Sequence, residues 1–167
     1  MNAPMVLSPE SLARIDKAIA KYPADQRQSA VMAALTIAQS EKGWLSPETM
    51  DFVAHYLGMP PIAVYEVASF YTMYDTRPVG RHKLAICTNL PCALQGANVA
   101  AEHLRKSLGI GFNETTPDGA FTLKEAECFG ACGDAPVLLV NNKRMCCAMT
   151  PDKLDGLLDE LKLKEQK

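Results

Sequence analysis

The chain has 167 residues, 48% of them hydrophobic, enough for one compact core with an appendage. Its 17 basic and 19 acidic residues leave a net charge of −2, which excludes the basic footprint of a nucleic-acid binder. No apolar run reaches the ~20 residues of a membrane span, and the N-terminus lacks the charged and apolar regions of a secretion signal.

These properties predict a cytoplasmic, soluble chain whose cysteines are thiols or metal ligands. Ser8-Pro9-Glu10 is a helix start, with serine at the N-cap and proline in the first turn, and Leu12, Ile15 and Ile19 follow at helical spacing. That helix should reach about Tyr22. A second helix is predicted from about Asp25 to Lys42, with Val31, Leu35 and Ala38 on one face and Gly43 as its stop. Ser46-Pro47-Glu48 repeats the start signal before Met50, Val53, Ala54 and Leu57, and Gly58 ends that stripe. Pro60-Pro61 opens a fourth helix through Val64, Val67 and Ala68. Helices this short are not stable alone, so they must pack together or on something else.

After Arg77-Pro78-Val79-Gly80 the pattern changes. Residues 83–87 alternate as a strand, and a helix is predicted from about Ala93 to Leu108 with Val99, Leu104 and Leu108 inward. Residues 121–127 alternate again, 136–140 form a short apolar strand, and Asn141-Asn142 signals a turn before a strand over 144–148. Thr150-Pro151-Asp152 starts a last helix with Leu154, Leu157, Leu158 and Leu161 as its apolar face. The second half is therefore βαβββα or close to it.

Four of the six cysteines form two tight pairs, Cys87-Thr-Asn-Leu-Pro-Cys92 and Cys128-Phe-Gly-Ala-Cys132. Both pairs lie where strands end, so two neighbouring loops can bring four sulfurs to one spot. Gly130 and Gly133 allow tight backbone, whose N–H groups can point at anionic sulfur. Two chemistries compete for this donor set: a 2Fe-2S cluster and a tetrahedral zinc ion that would make the chain a zinc-stapled interaction module. Gaps of four and three residues at strand ends favour the cluster over the two-residue gaps of zinc knuckles. Thiol-disulfide exchange fits less well, because a four-residue gap is not C-x-x-C and leaves Cys128 and Cys132 unexplained. Consecutive Cys146 and Cys147 on a strand point to opposite faces, so at most one faces the core; free buried cysteine is the reading for both. His55, His82 and His103 are scattered, which disfavours a site with histidine ligands. Residues 70–74 and Trp44-Leu45 read as packing groups. No Gly-rich phosphate loop is present, so any NADH would be bound by another chain.

Phe70-Tyr-Thr-Met-Tyr74, Pro78-Val-Gly80, the two cysteine motifs, Gly133 and Ala135-Pro136 together resemble the thioredoxin-like 2Fe-2S E-type subunits of NADH:quinone oxidoreductase, over nearly the whole chain. The resemblance implies an α+β or α/β architecture: a small N-terminal helical bundle over residues 1–79 and a thioredoxin-like 2Fe-2S ferredoxin domain over 80–167. It also implies one 2Fe-2S cluster on Cys87, Cys92, Cys128 and Cys132. The expected partner is the flavin- and NADH-binding subunit, which carries the FMN and NAD, and through it other iron-sulfur subunits. The expected role is a redox subunit with no NADH or quinone site of its own, in the peripheral arm of an inner-membrane complex. Similar subunits serve NAD-linked formate dehydrogenases and hydrogenases. Cys146 and Cys147 have no role in the motif.

Overall fold

The computed structural model describes residues 6–163, which divide between Pro78 and Val79 into two compact units. The first unit is helical: α1 (Pro9–Ile19), a 3-10 turn (Arg27–Ala30), α2 (Val31–Lys42), α3 (Pro47–Leu57) and α4 (Pro61–Phe70). The two serine signals act as expected. Ser8 Oγ accepts from Ser11 N at 3.2 Å and Ser46 Oγ from Thr49 N at 3.1 Å, caps worth about 1 kcal/mol each. Ile15, Leu35, Val53 and Val64 are at most 1% exposed and bring one residue from each helix into a common core. Burial of side chains of this size stabilises by about 1.5–3 kcal/mol apiece.

Two helix bounds differ from expectation. α1 stops at Ile19, and the expected first turns of the second helix, from Asp25, are instead a loop and the 3-10 turn Arg27–Ala30 before α2 begins at Val31. The chain after α4 folds back on α2: Tyr74 is 5% exposed and its hydroxyl donates to the Met32 carbonyl at 2.8 Å, while Leu45 N donates to the Asp75 carbonyl at 2.8 Å. Tyr74 and Leu45 are thus packing residues. Phe70, by contrast, is 77% exposed.

The second unit is built on a five-stranded sheet of order β2-β3-β1-β4-β5, with β1 (His82–Cys87), β2 (Glu114–Thr115), β3 (Phe121–Ala126), β4 (Leu138–Val140) and β5 (Arg144–Cys146). β1 and β3 are parallel, and the other pairs are antiparallel. A parallel pair needs a crossover, here supplied by α5 (Leu90–Leu94) and α6 (Ala97–Leu108). The expected single helix from Ala93 is broken because Gly96 turns left-handed at φ 91°, a conformation that costs glycine nothing. Within α6 the buried face is Ala97, Ala100, Ala101 and Leu104 at helical spacing, and Val99, five residues before Leu104 and so on another face, is 65% exposed although it was expected inward.

One face of the sheet carries the core. Leu84, Ile86, Phe121, Leu123 and Leu138 pack with Leu104 of α6 and with Leu154, Leu157, Leu158 and Leu161 of α7 (Pro151–Leu163). The α7 stripe is the one its sequence predicts. β1 is the central strand and is buried nearly throughout, including Lys83 at 4% exposed, as central parallel strands are. The two-residue β2 carries no periodicity and was not expected, and β5 ends at Cys146, short of residue 148. Among the described residues no helix is long and apolar enough to cross a membrane.

Candidate metal centre

β1 and β3 stay in register to their last rung, Cys87 opposite Ala126. Beyond it each strand runs into a loop that carries cysteines. Cys87 closes β1 and donates its N–H to the Val137 carbonyl at 3.1 Å. Cys92 sits on α5, and Pro91 in that helix's first turn has no N–H to lose. Cys128 lies just past β3, and Cys132 begins a short 3-10 turn (Cys132–Asp134).

The four sulfurs are gathered as two pairs of unlike environment. Cys87 and Cys92 are 1% and 2% exposed and pack with Ala97 and Val137. Phe129, Ala131 and Ala135 from the second loop pack against that same cluster, which joins the two loops. Cys128 and Cys132 are exposed, with their Sγ atoms 3.7 Å apart. Gly130, at φ 76°, turns its N–H onto Cys128 Sγ at 3.3 Å, a donor aimed at sulfur where a residue with a β-carbon would be strained.

One thiol of each pair, Cys92 and Cys132, resists ionisation. Burial, then the hydrogen bond and negative charge of Cys87 and the charge of Cys132, push Cys92 above the ordinary thiol value; a backbone hydrogen bond at Val137 opposes this. The hydrogen bond and charge of Cys128 raise Cys132, with smaller contributions from burial and Cys87. Sulfurs that repel one another's negative charge suit a cationic centre, because metal charge removes the thiol protons and offsets that repulsion. Four sulfur donors in two pairs match the donor set of a 2Fe-2S core. Among the described residues, no group of three or more His, Cys, Asp or Glu surrounds a single-ion position.

Other candidates lie elsewhere. Cys146 is 8% exposed within the sheet core, where burial raises its pKa, whereas Cys147 is exposed and so is not the buried thiol its sequence context suggested. As predicted, at most one of the two faces the core, although Cys147 lies just past the end of β5. His55 is on α3, His103 Nε2 lies 2.7 Å from Asp155 Oδ1, and the His82 ring packs tilted at 38° against Phe121, 5.5 Å between centroids.

Two residues were not singled out by sequence. Thr88 Oγ1 donates to Glu125 Oε1 at 2.7 Å, and Asn89 Nδ2 donates to Glu127 Oε2 at 3.0 Å, so side chains continue the pairing of the two loops where the backbone ladder stops. The back of the second loop is held by Ala148 N on the Asp134 carbonyl at 2.8 Å and Met149 N on the Pro136 carbonyl at 3.0 Å. These contacts depend on strand register, and no local motif announces them.

The family model described as thioredoxin-like 2Fe-2S ferredoxin matches residues 15–162. An E-type subunit of the NADH-quinone oxidoreductase of Rhizobium meliloti is 44% identical over 91% of this chain and 89% of its own length. Subunit 2 of the Thermus thermophilus NADH-quinone oxidoreductase is 39% identical over 89% of this chain and 82% of its own. The mitochondrial NADH dehydrogenase [ubiquinone] flavoprotein 2 of Dictyostelium discoideum is 41% identical over 96% of this chain, which spans 65% of that protein. Among solved structures, an NAD+-reducing NiFe-hydrogenase in the air-oxidized state shares the fold at TM-score 0.71 and 22% identity, over 86% of this chain and 24% of that one.

Proposed function

The chain belongs to the thioredoxin-like 2Fe-2S ferredoxin family, and from that premise we propose that it is the electron-transfer subunit of an NADH:quinone oxidoreductase. What supports this reading is that Cys87 and Cys92, both buried, and Cys128 and Cys132, with Sγ atoms 3.7 Å apart, lie on the two loops that follow the parallel strands β1 and β3. The names of the relatives at 39–44% identity support the choice of parent complex.

Cys87, Cys92, Cys128 and Cys132 would hold one 2Fe-2S cluster, which supplies one-electron redox chemistry. The chain's own residues set the conditions. Cys87 and Cys92 anchor the buried side within an apolar shell that keeps water out, and Val137 is part of that shell. Cys128 and Cys132 form the solvent side, so electrons enter and leave there. The Gly130 N–H directed at Cys128 stabilises negative charge on that sulfur. Hydride chemistry belongs to a flavin- and NADH-binding partner, since this sequence has no Gly-rich phosphate loop, and the chain itself serves as a redox subunit.

The helical unit carries none of the four cysteines and serves to dock the partner. Its exposed Ile62 and Phe70 supply apolar surface for that purpose.

Iron and acid-labile sulfide analysis of anaerobically purified protein, with EPR before and after dithionite, tests the assignment. About two irons and two sulfides per chain and a signal only on reduction are expected. Stoichiometric zinc without sulfide, after expression with ample iron, overturns it.

A further inference from the structure

We propose that Thr88 and Asn89 are positioning residues that clamp the two cysteine loops together, using Glu125 and Glu127 as the fixed half of the clamp. The inference rests on the cluster reading above and extends it to residues that touch no sulfur.

Three observations lead there. The backbone ladder between β1 and β3 ends at Cys87 and Ala126, so nothing in that ladder sets the separation of residues 88–92 from residues 127–132. At that point Thr88 Oγ1 reaches Glu125 at 2.7 Å and Asn89 Nδ2 reaches Glu127 at 3.0 Å, one bond on each of two successive residues. Asn89 also stands at the N-cap of α5, where an asparagine oxygen ordinarily accepts a hydrogen bond from the helix, yet its side chain makes no such bond. The side chain is turned instead to the carboxylate beside Cys128.

α5 carries Cys92, so the Asn89–Glu127 bond links the residue that opens the Cys92 helix to the residue that precedes Cys128. Thr88, beside Cys87, ties the first loop to Glu125 near the end of β3, from which the second loop starts. Both donors are neutral, so the bonds orient two carboxylates without cancelling their charge. A hydrogen bond to an ionised acceptor is the stronger kind and has defined geometry, which suits it to hold loops that must bring two sulfur pairs to one centre.

Asn89→Asp separates clamp from cap. Aspartate is as good an N-cap as asparagine, so a purely structural cap would be preserved, whereas a clamp would put two carboxylates against each other. Thr88→Val removes the hydroxyl at nearly constant shape, and Thr88→Ser restores it. We expect amide exchange in residues 128–132 of the full chain to quicken about tenfold or more in Asn89→Asp and Thr88→Val, the factor for losing one hydrogen bond to a charged group, and Thr88→Ser to return it to the wild-type rate. In cluster-loaded protein, an EPR-monitored titration should place the Asn89→Asp midpoint below that of wild type. Wild-type exchange in both variants overturns the clamp, and the Asn89→Asp midpoint reports the added charge alone. A wild-type chain without iron and sulfide overturns the cluster reading, and exchange alone then decides whether the clamp exists.

Discussion

A β-carbon placed on Gly80 would lie 2.9 Å from the backbone carbonyl carbon of Phe121, and 3.0 Å from the carbonyl oxygens of Gly119 and Ala120. The contact is with main chain, which cannot rotate aside. The Gly80 N–H also donates to Thr122 Oγ1 at 2.6 Å, seating the chain against the start of β3 just before β1 begins. Gly80→Ala should therefore destabilise the sheet unit by about 1–3 kcal/mol, read as a lower midpoint in denaturant unfolding. An unchanged midpoint would mean that the segment shifts away from β3 without cost.

The sulfur inventory gives a second test. Single Ser substitutions at Cys87, Cys92, Cys128 and Cys132 should each lose or strongly weaken retention of the cluster, while Cys146→Ser and Cys147→Ser keep about two irons per chain. The distinction is not one of burial. Cys146 is buried like Cys92, and Cys147 is exposed like Cys128, so only membership of the two loops predicts the outcome. Iron and sulfide assays on the six variants decide it, and a cluster lost on changing Cys147 would redraw the ligand set.

Acid should loosen the helical unit through one carboxylate. Glu41, at the end of α2, accepts from Ser8 N at 3.1 Å and Ser8 Oγ at 2.8 Å, tying the start of α1 to α2. Hydrogen bonds from Ser11 and Ser8 hold its pKa at about 2, well below the ordinary 4.5. A depressed carboxylate stabilises the fold fully above its unfolded value and loses that contribution as pH falls through its folded value. The loss should thus run from about pH 4.5 down to about pH 2. Urea unfolding of Glu41→Gln should show a flatter dependence on pH over this window than wild type, and equal slopes would remove Glu41 from the account.

What sequence could show depended on whether the signal was local. The serine caps at Ser8 and Ser46 and the leucine face of α7 are local patterns, and each appears where the sequence places it. The family and its fold were legible in the cysteine motifs with their flanking residues. The break at Gly96 was not, because apolar residues on both sides of it sustain a helical period and the glycine acts only through its left-handed backbone. Val99 was misplaced for a simpler reason: five residues before Leu104, it cannot share the face of α6 that Leu104 buries. The roles of Thr88, Asn89 and Val137 were illegible for a deeper one: they arise from the register of β1 with β3 and from the approach of Val137 to Cys87, relations between segments far apart in the chain.

Glu127 itself should tune the cluster potential. It precedes Cys128, and reduction adds one negative charge to the cluster, so a neighbouring carboxylate disfavours the reduced state and lowers the midpoint. Glu127→Gln removes the charge but keeps a side-chain oxygen to accept from Asn89, so the clamp survives and the electrostatic effect stands alone. An interaction of about 1 kcal/mol between partly exposed charges corresponds to a rise of about 40 mV for a one-electron couple. Ions reach the exposed loop, so the rise should shrink at high salt. EPR-monitored titration at two ionic strengths measures both effects. A midpoint that stays put would show that the carboxylate charge is already screened from the cluster by solvent, leaving Glu127 with its holding role only, and one that falls would overturn the electrostatic account.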